Sequence, residues 1–518
     1  MIRHIFTVSS GTLASRLLGF ARDSLAAALL GAGPVADAFL LAFQLINVTR
    51  RMLTEGALNA ALIPAWMRIR DGNGILAASA FAGAVLGTVS TALIALAVIA
   101  GVLMPVLLTL LAPGFAGHES LQLAVMDARL MLPYLAFAGP VTVMMGLLNA
   151  QHRFAITSFA PLLFNMALIA VIAALLLLQK EPSSAAMIMA ATVGAAGLLQ
   201  LLALVIPSRR GNLIGRVRVS LAPEMRAFLR KAVPGMIASS GPQLLIVTGA
   251  IIASMSPSAV SWLYFANRLI ELPLGMVGVA MGTVLVPEIT RALGSDDKPA
   301  LIKAESRGLE LAAGLALPAA FGLIVLREPI VRMLFEHGAF TAADTRATAL
   351  ALGCLAIGLP AHVLIKALSP AFFARGDTMT PLLATLKGIA VGVVLAVVLG
   401  RLFGIAGIAA AMAIGAWSNA VSLGRNIAVT FGFSIDADAR RRLPRIALAA
   451  LLMGGALWFA VWVLLDAVGS RTYQVILLGL LIAAGIALYG LLLLLFRVID
   501  WSDIWAASVR SRSPDLRA

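Results

Sequence analysis

Apolar runs of about 18 residues or more recur from one end of this 518-residue chain to the other, and each is long enough to cross about 30 Å of hydrocarbon as a helix. A bilayer offers no water to unpaired backbone groups, so only helices and closed barrels span it. The alternating segments of about ten residues that a barrel requires do not occur. Hydrophobic residues make up 61% and charged residues 12%, against roughly 45–50% and 25% in soluble domains. An ordinary soluble enzyme is excluded. The start of the chain, basic and then apolar, has the outline of a signal peptide, but Arg16, Arg22 and Asp23 interrupt its apolar stretch, which predicts a retained first helix.

Gly, Pro and charge punctuation places helices near 6–30, 35–66, 75–101, 122–150, 157–178, 185–207, 225–254, 258–290, 304–325, 345–373, 378–400, 404–431, 444–466 and 473–496. The intervals 102–118 and 327–343 are less regular, with room for a short interfacial helix in each. With a cytoplasmic N-terminus, cytoplasmic connections carry about 25 Lys/Arg and the opposite side about six, which puts both termini in the cytoplasm. That asymmetry explains the net charge of +15. Nucleic acid does not, because aromatics are only 6% and no binding motif accompanies the basic stretches.

The chain repeats itself. Ala42, Leu45 and Ile46 correspond to Ala266, Leu269 and Ile270, Ile63-Pro64 to Val286-Pro287, Gly114 to Gly338, and Leu132-Pro133 to Leu359-Pro360, at offsets of 223 to 227. Six helices per unit keep the two copies parallel, and parallel repeats about the membrane normal usually enclose a cavity that opens alternately to either side. The expected fold is all-α and polytopic, with 14 transmembrane helices: lobes at 1–220 and 221–440, then a tail at 441–518 holding the last two helices.

Charge within the spans is the second constraint, since each unpaired charge at the bilayer centre costs about 2.5–3.5 kcal/mol on the insertion scale. On helix 1, Arg16 and Asp23 lie about 20° apart, and Arg22 points elsewhere. On helix 2, Asp37, Gln44, Arg51, Glu55 and Asn59 fall within about 40° of one line. Helix 8 carries Ser261, Tyr264, Arg268 and Glu271 on a similar stripe, with Arg268 and Glu271 spaced to pair. The bland reading is interhelical ion pairs or snorkelling side chains. The functional reading is a wet, cationic cavity, because Arg16, Arg22, Arg50, Arg51 and Arg268 outnumber Asp23, Asp37, Glu55 and Glu271, and a guanidinium fork suits phosphate or carboxylate.

Lys366 and Lys387 are weaker candidates for substrate contact. Asp127 and Arg129 read as interfacial, and the mid-span amides Asn165, Gln200, Gln243 and Asn419 as interhelical bonds, with part of an ion site as the alternative for Asn165 and Asn419. Five scattered histidines and the single Cys354 form no ligand pattern, and neither a GxxxxGK[ST] loop nor HExxH occurs. The expectation is a transporter without catalytic residues, metal or cofactor, with a monovalent ion or the membrane potential as the source of coupling.

Ser15-Arg16-Leu17-Leu18-Gly19-Phe20-Ala21-Arg22-Asp23, Ala36-Asp37-Ala38-Phe39 and Arg50-Arg51-Met52-Leu53-Thr54-Glu55-Gly56-Ala57 closely resemble the MurJ (MviN) family of lipid II flippases. This family sits within the multidrug/oligosaccharidyl-lipid/polysaccharide exporter (MOP) superfamily. Weaker matches continue at Pro113-Gly114-Phe115, Asn149 with Arg153-Phe154, Trp262 to Pro273, Pro287, Gly338 with Phe340, and Pro370 to Phe373 with Arg375.

The resemblance implies two six-helix lobes around a cationic cavity, with a lipid-tail groove on the last two helices. It implies that Arg16, Arg22, Arg50, Arg268 and Ser261 bind the diphosphate and head group, and that Asp37, Glu55, Glu271, Arg51 and Asp23 serve the portal or gate. Two departures stand out. The helical wheel puts Arg51 rather than Arg50 on the stripe with Asp37, and Asn267 occupies a position where the family commonly has Asp.

The implied function is movement of undecaprenyl-diphosphate-linked sugar-pentapeptide across the bacterial inner membrane, by a monomer, in concert with peptidoglycan synthesis. The rivals are an O-antigen or capsule precursor flippase and a multidrug antiporter of the same superfamily. The antiporter would be expected to line its cavity with acids. An enzyme would need a sizeable extramembrane loop, and the two longest have only about 20 residues.

Overall fold

The computed structural model describes residues 2–54, 57–151, 153–210, 213–238, 241–281, 285, 288, 291, 298–373, 375, 377–431, 435–464 and 471–498. Among them there is no strand. The helices are α1 Ile2–Leu30, α2 Pro34–Thr54, α3 Ala57–Leu111, α4 Glu119–Met131, α5 Pro133–Ala150, α6 Phe154–Leu177, α7 Pro182–Arg210, α8 Pro223–Ala238, α9 Gly241–Ala253 and α10 Ala259–Ala280. They continue as α11 Lys298–Phe335, α12 Ala342–Phe373, α13 Met379–Phe431, α14 Ala437–Leu464 and α15 Arg471–Leu495.

Proline opens α2, α5, α7 and α8, where its missing N–H removes no helical bond. Non-helical backbone at Gly74 breaks α3, and the same at Gly404 breaks α13. Each of these long elements therefore contributes to two spans. With the part of α3 before Gly74 completing the span begun by α2, and α4–α5 and α8–α9 each forming one jointed span, the described helices make fourteen. Nine stretches among the described residues are long and apolar enough to cross a membrane. The arginine-bearing α1, α2 and α10 are not in that set, because the charges that make them interesting also depress their hydropathy.

Two expectations change. The third span, read as 75–101, continues to Leu111, where Pro113–Phe115 forms a single 3-10 turn instead of an interfacial helix. The second irregular interval is likewise the end of α11 and a turn at Gly338 before α12.

The chain divides into two compact units. The first comprises 1–265 with 334–345, and the second 266–333 with 346–518. In the first, α1 packs on α6, α3 on α5, α2 on α4, and α5 and α6 on α7. In the second, the tail pair α14 and α15 packs together and against α11, through Leu326, Met453, Leu457, Leu478 and Leu481.

Inside the first unit the sequence repeat has a physical counterpart. Gly114 abuts the Ser254 carbonyl, and Gly338, at φ +56°, abuts the Ala28 carbonyl. The two contacts are equivalent under the repeat, since 338 − 114 = 224 and 254 − 28 = 226. Asp37 also bonds Ser261, 224 residues away, and Ala32 bonds Ser258, 226 away. Reciprocal contacts of this kind, with equivalent positions meeting, are the signature of a two-fold arrangement near its axis.

Candidate functional site

Arg16 lies midway along the 29-residue α1, half-buried, with no hydrogen-bond or ion-pair partner among the described residues. Arg22, two turns further on, is the opposite case. It is 8% exposed. Its Nε donates to Asp23 Oδ1 at 2.9 Å and its Nη1 to Asn165 Oδ1 at 3.0 Å. The guanidinium also stands 4.9 Å from the Phe43 ring centre and 5.9 Å from that of Phe164. Asn165 is anchored in turn by its Nδ2 donating to the Ser15 carbonyl at 3.0 Å, and Tyr264 Oη donates to Asp23 Oδ1 at 3.4 Å. A buried cation is tolerable only when paired and hydrogen-bonded, and here α1 and α6 supply both conditions.

At the end of α2, Arg50 and Arg51 are both half-buried, and Arg50 Nε donates to Asn47 Oδ1 at 3.3 Å. At its start, Asp37 is 2% exposed and accepts from the Ser261 N–H at 2.8 Å and the Ser261 hydroxyl at 2.5 Å. Ser261 itself is fully buried, so both its donors serve Asp37. Arg268 and Glu271 pair at 2.9 Å, as their spacing predicts. Glu55 lies outside the described residues.

The structure thus joins Asp37 to Ser261, Arg22 to Asp23, and Arg268 to Glu271. Asn165 behaves as the interhelical amide it was read to be, as do Gln200, which donates to the Ala160 carbonyl, and Asn419, which donates to Thr385. The side chain of Gln243 lies outside the described residues. Lys366 is exposed and reaches the Leu274 carbonyl at 3.4 Å, and Lys387 is exposed. Among the described residues no group of His, Cys, Asp and Glu could hold a metal ion.

Sequence reasoning missed two features. Trp262 Nε1 donates to Asp344 at 3.0 Å, while Asp344 accepts from the Thr341 N–H and hydroxyl at 2.9 and 2.7 Å. The Thr-x-x-Asp spacing at 341–344 is a capping-box pattern that could have revealed the second half of this network. The other is the packing of Asp127 against protein: it is 2% exposed, with no partner among the described residues. It falls on the face of α4 that also buries Ala124, Ala128 and Met131, and at this spacing burial is a property of the packing.

The family model described as "Lipid II flippase MurJ" matches residues 26–479. A "Probable lipid II flippase MurJ" from Rhizobium meliloti is 38% identical over 496 residues, covering 94% of this chain and 92% of that protein. The "Lipid II flippase MurJ" of Burkholderia cenocepacia is 30% identical over 518 residues, covering 98% and 97%. Among solved structures, a lipid II flippase MurJ in an inward closed conformation shares the fold at TM-score 0.76 and 23% identity, over 96% of this chain and 99% of that one. An inward-facing MATE family multidrug transporter of the MOP superfamily shares it at TM-score 0.65 and 16% identity, over 83% and 95%. With matches spanning nearly its whole length, this multi-pass membrane chain belongs to the MurJ family.

Proposed function

We propose that the protein flips lipid II from the cytoplasmic to the periplasmic leaflet of the bacterial inner membrane by alternating access, supplying peptidoglycan synthesis. It is a transporter, and no covalent bond is made or broken. Two relatives named as lipid II flippases match this chain over 92% and 97% of their own length.

Arg16 is the observation that carries the reading. A guanidinium at mid-helix without a counter-charge costs about 2.5–3.5 kcal/mol in a bilayer, and a diphosphate is the bidentate anion that would offset it. We assign the diphosphate and head group to Arg16, Arg22, Arg50 and Arg268, with Ser261 joining the contacts once Asp37 releases it, and portal or gating roles to Asp37, Glu55, Glu271, Arg51 and Asp23. The Asp37–Ser261 bond supports a gate, because a side-chain contact between α2 and α10 is one that alternating access would make in one conformation and break in another. Both termini are cytoplasmic, lobes at 1–220 and 221–440 do the moving, and 441–518 receives the lipid tail. The exposed Trp458, Phe459 and Trp462 on α14 offer apolar surface for that tail. The protein works as a monomer. The membrane potential drives the cycle, since moving one charge through 100 mV is worth about 2.3 kcal/mol.

The test is depletion in the host followed by measurement of lipid II on each face of the membrane. Accumulation on the cytoplasmic face, reversed by the wild-type chain and not by Arg16→Ala at equal membrane abundance, is the expected result. Full rescue by Arg16→Ala removes the diphosphate assignment. Rescue of drug efflux instead, with lipid II distribution unchanged, favours the antiporter.

A further inference from the structure

Ten residues connecting α7 to α8, Leu213–Ala222, run as an extended strap along the first half of α3 beyond its Gly74 break. Gly215 N–H donates to the Ser79 carbonyl at 2.8 Å and Arg218 N–H to the Gly83 carbonyl at 3.4 Å. Ser220 N–H donates to Thr88 Oγ1 at 3.2 Å, and Thr88 returns its hydroxyl to the Ser220 carbonyl at 3.3 Å. Gly83 and Gly87, one helical turn apart, let this happen: a β-carbon on either would collide with the strap backbone at Arg216 and Arg218. The spacing is that of a helix-pairing motif, used here to seat an extended chain.

Because successive residues of an extended chain face opposite ways, binding α3 through 218 and 220 turns the backbone of 217 and 219 outward. The N–H groups of Val217, Val219 and Leu221 have no acceptor among the described residues. Their side chains are 60%, 60% and 61% exposed, and Arg216 and Arg218 beside them are exposed too. Seven basic residues and one acid, Glu224, lie between Arg209 and Lys231.

Free backbone N–H groups are not tolerated against hydrocarbon, so the strap cannot lie in the acyl region. The exposure of α3 agrees. From Thr91 to Leu110 it presents an apolar outer face, with Ile94, Val98, Val102, Val106 and Leu110 all exposed. That is about 30 Å of helix, the thickness of the hydrocarbon layer. The strap ends at Thr88, just short of it.

We propose that this strap is a membrane-surface element seated in the headgroup layer. Arg216, Arg218 and the outward N–H groups take phosphate oxygens of anionic phospholipids, while Val217, Val219 and Leu221 dip toward the acyl boundary. An alternating apolar and basic segment beside a cluster of positive charge matches an anionic leaflet in both polarity and sign. The span of α3 through hydrocarbon is accordingly 91–110, displaced from the interval that hydropathy alone selects.

The test uses the full chain with Cys354→Ser and a nitroxide on Val219→Cys, reconstituted in vesicles of phosphatidylcholine alone or mixed with phosphatidylglycerol. Oxygen and nickel-chelate collision rates give its depth, with Asp71→Cys as the aqueous reference and Val102→Cys, mid-span and 71% exposed, as the hydrocarbon one. The expected label depth falls between the two references and moves inward with phosphatidylglycerol. That shift is lost in the Arg216→Gln/Arg218→Gln background. A label as wet as Asp71→Cys in both lipids, or as dry as Val102→Cys, overturns the proposal. So does a phosphatidylglycerol shift that survives loss of both arginines. Immobilisation of the label only in native membranes would overturn it in favour of a protein strand pairing with the open edge. Folding of every variant is checked by the Val102 label, whose depth the strap substitutions should leave unchanged.

Discussion

Removing Arg22 separates its structural role from its proposed contact with substrate. Its side chain is 10% exposed and that of Asp23 3%, so Arg22→Ala leaves a buried carboxylate without its cation, a change that typically costs about 3–5 kcal/mol. Loss of the Phe43 and Phe164 faces removes a further contribution of about 0.5–2 kcal/mol, partly included in the same figure. Asp23→Ala should cost a similar amount by stranding the cation. If the loss comes from the broken pair, Arg22→Met/Asp23→Ala should recover at least half of it. The remainder is Asn165 Oδ1, left without its donor at about 1–3 kcal/mol. Equilibrium unfolding by SDS in mixed micelles measures this cycle, and complementation of a depleted host measures transport. The double variant should be close to wild type in stability yet fail to support growth. A single-variant cost below about 1 kcal/mol would falsify the energetic reasoning. Restored growth in the double variant would show that Arg22 only holds α1 to α6 and never meets the head group.

Ser261→Ala removes one of two charge-assisted bonds to Asp37, worth about 1.5–3 kcal/mol. If one conformation alone makes that bond, its population falls by about 10- to 150-fold relative to the other, readable as altered spin-label distances across the contact; unchanged distances would argue against a gate there. Gly338→Ala forces a side chain into left-handed backbone at a cost of about 1–2 kcal/mol and drives a β-carbon into the Ala28 carbonyl. Membrane yield and detergent melting temperature should both drop, whereas Gly404→Ala, with nothing near its β-position, should lose only the backbone strain. Asp377 caps the start of α13: the Thr380 side chain, then the N–H groups of Thr380 and Met379, hold its carboxyl below the ordinary 3.8. A depressed folded-state value means that the cap is fully present above pH 3.8 and is lost as pH falls through the lower folded value. Amide exchange at the first turn of α13 should therefore accelerate, after correction for its intrinsic pH dependence, only below that point, and Asp377→Ala should abolish the dependence.

What could be read directly was what depends on neighbours along the chain. The Arg268–Glu271 pair follows from i,i+3 geometry, and the Gly404 break falls where punctuation put it. Partners distant in sequence were less legible. Asp37 and Ser261 were each singled out, but nothing in either stripe says that one holds the other. Arg22 and Asn165, 143 residues apart, were weighed separately, and the wheel could not show that Arg22 already has its counter-charge.

The sequence by itself determined the class of fold, the number of spans, the two-fold repeat and the family, because each is a matter of period, length and spacing. Only the tertiary structure decided which side of each helix packs on protein and which is left exposed. The reason is physical: acyl chains are as apolar as leucine, so hydrophobicity does not distinguish a packed face from a lipid-facing one inside a bilayer. In the proposed placement the lipid-facing part of α3 begins at Thr91, and a polar connection between spans proved to be a strap laid over Gly83 and Gly87.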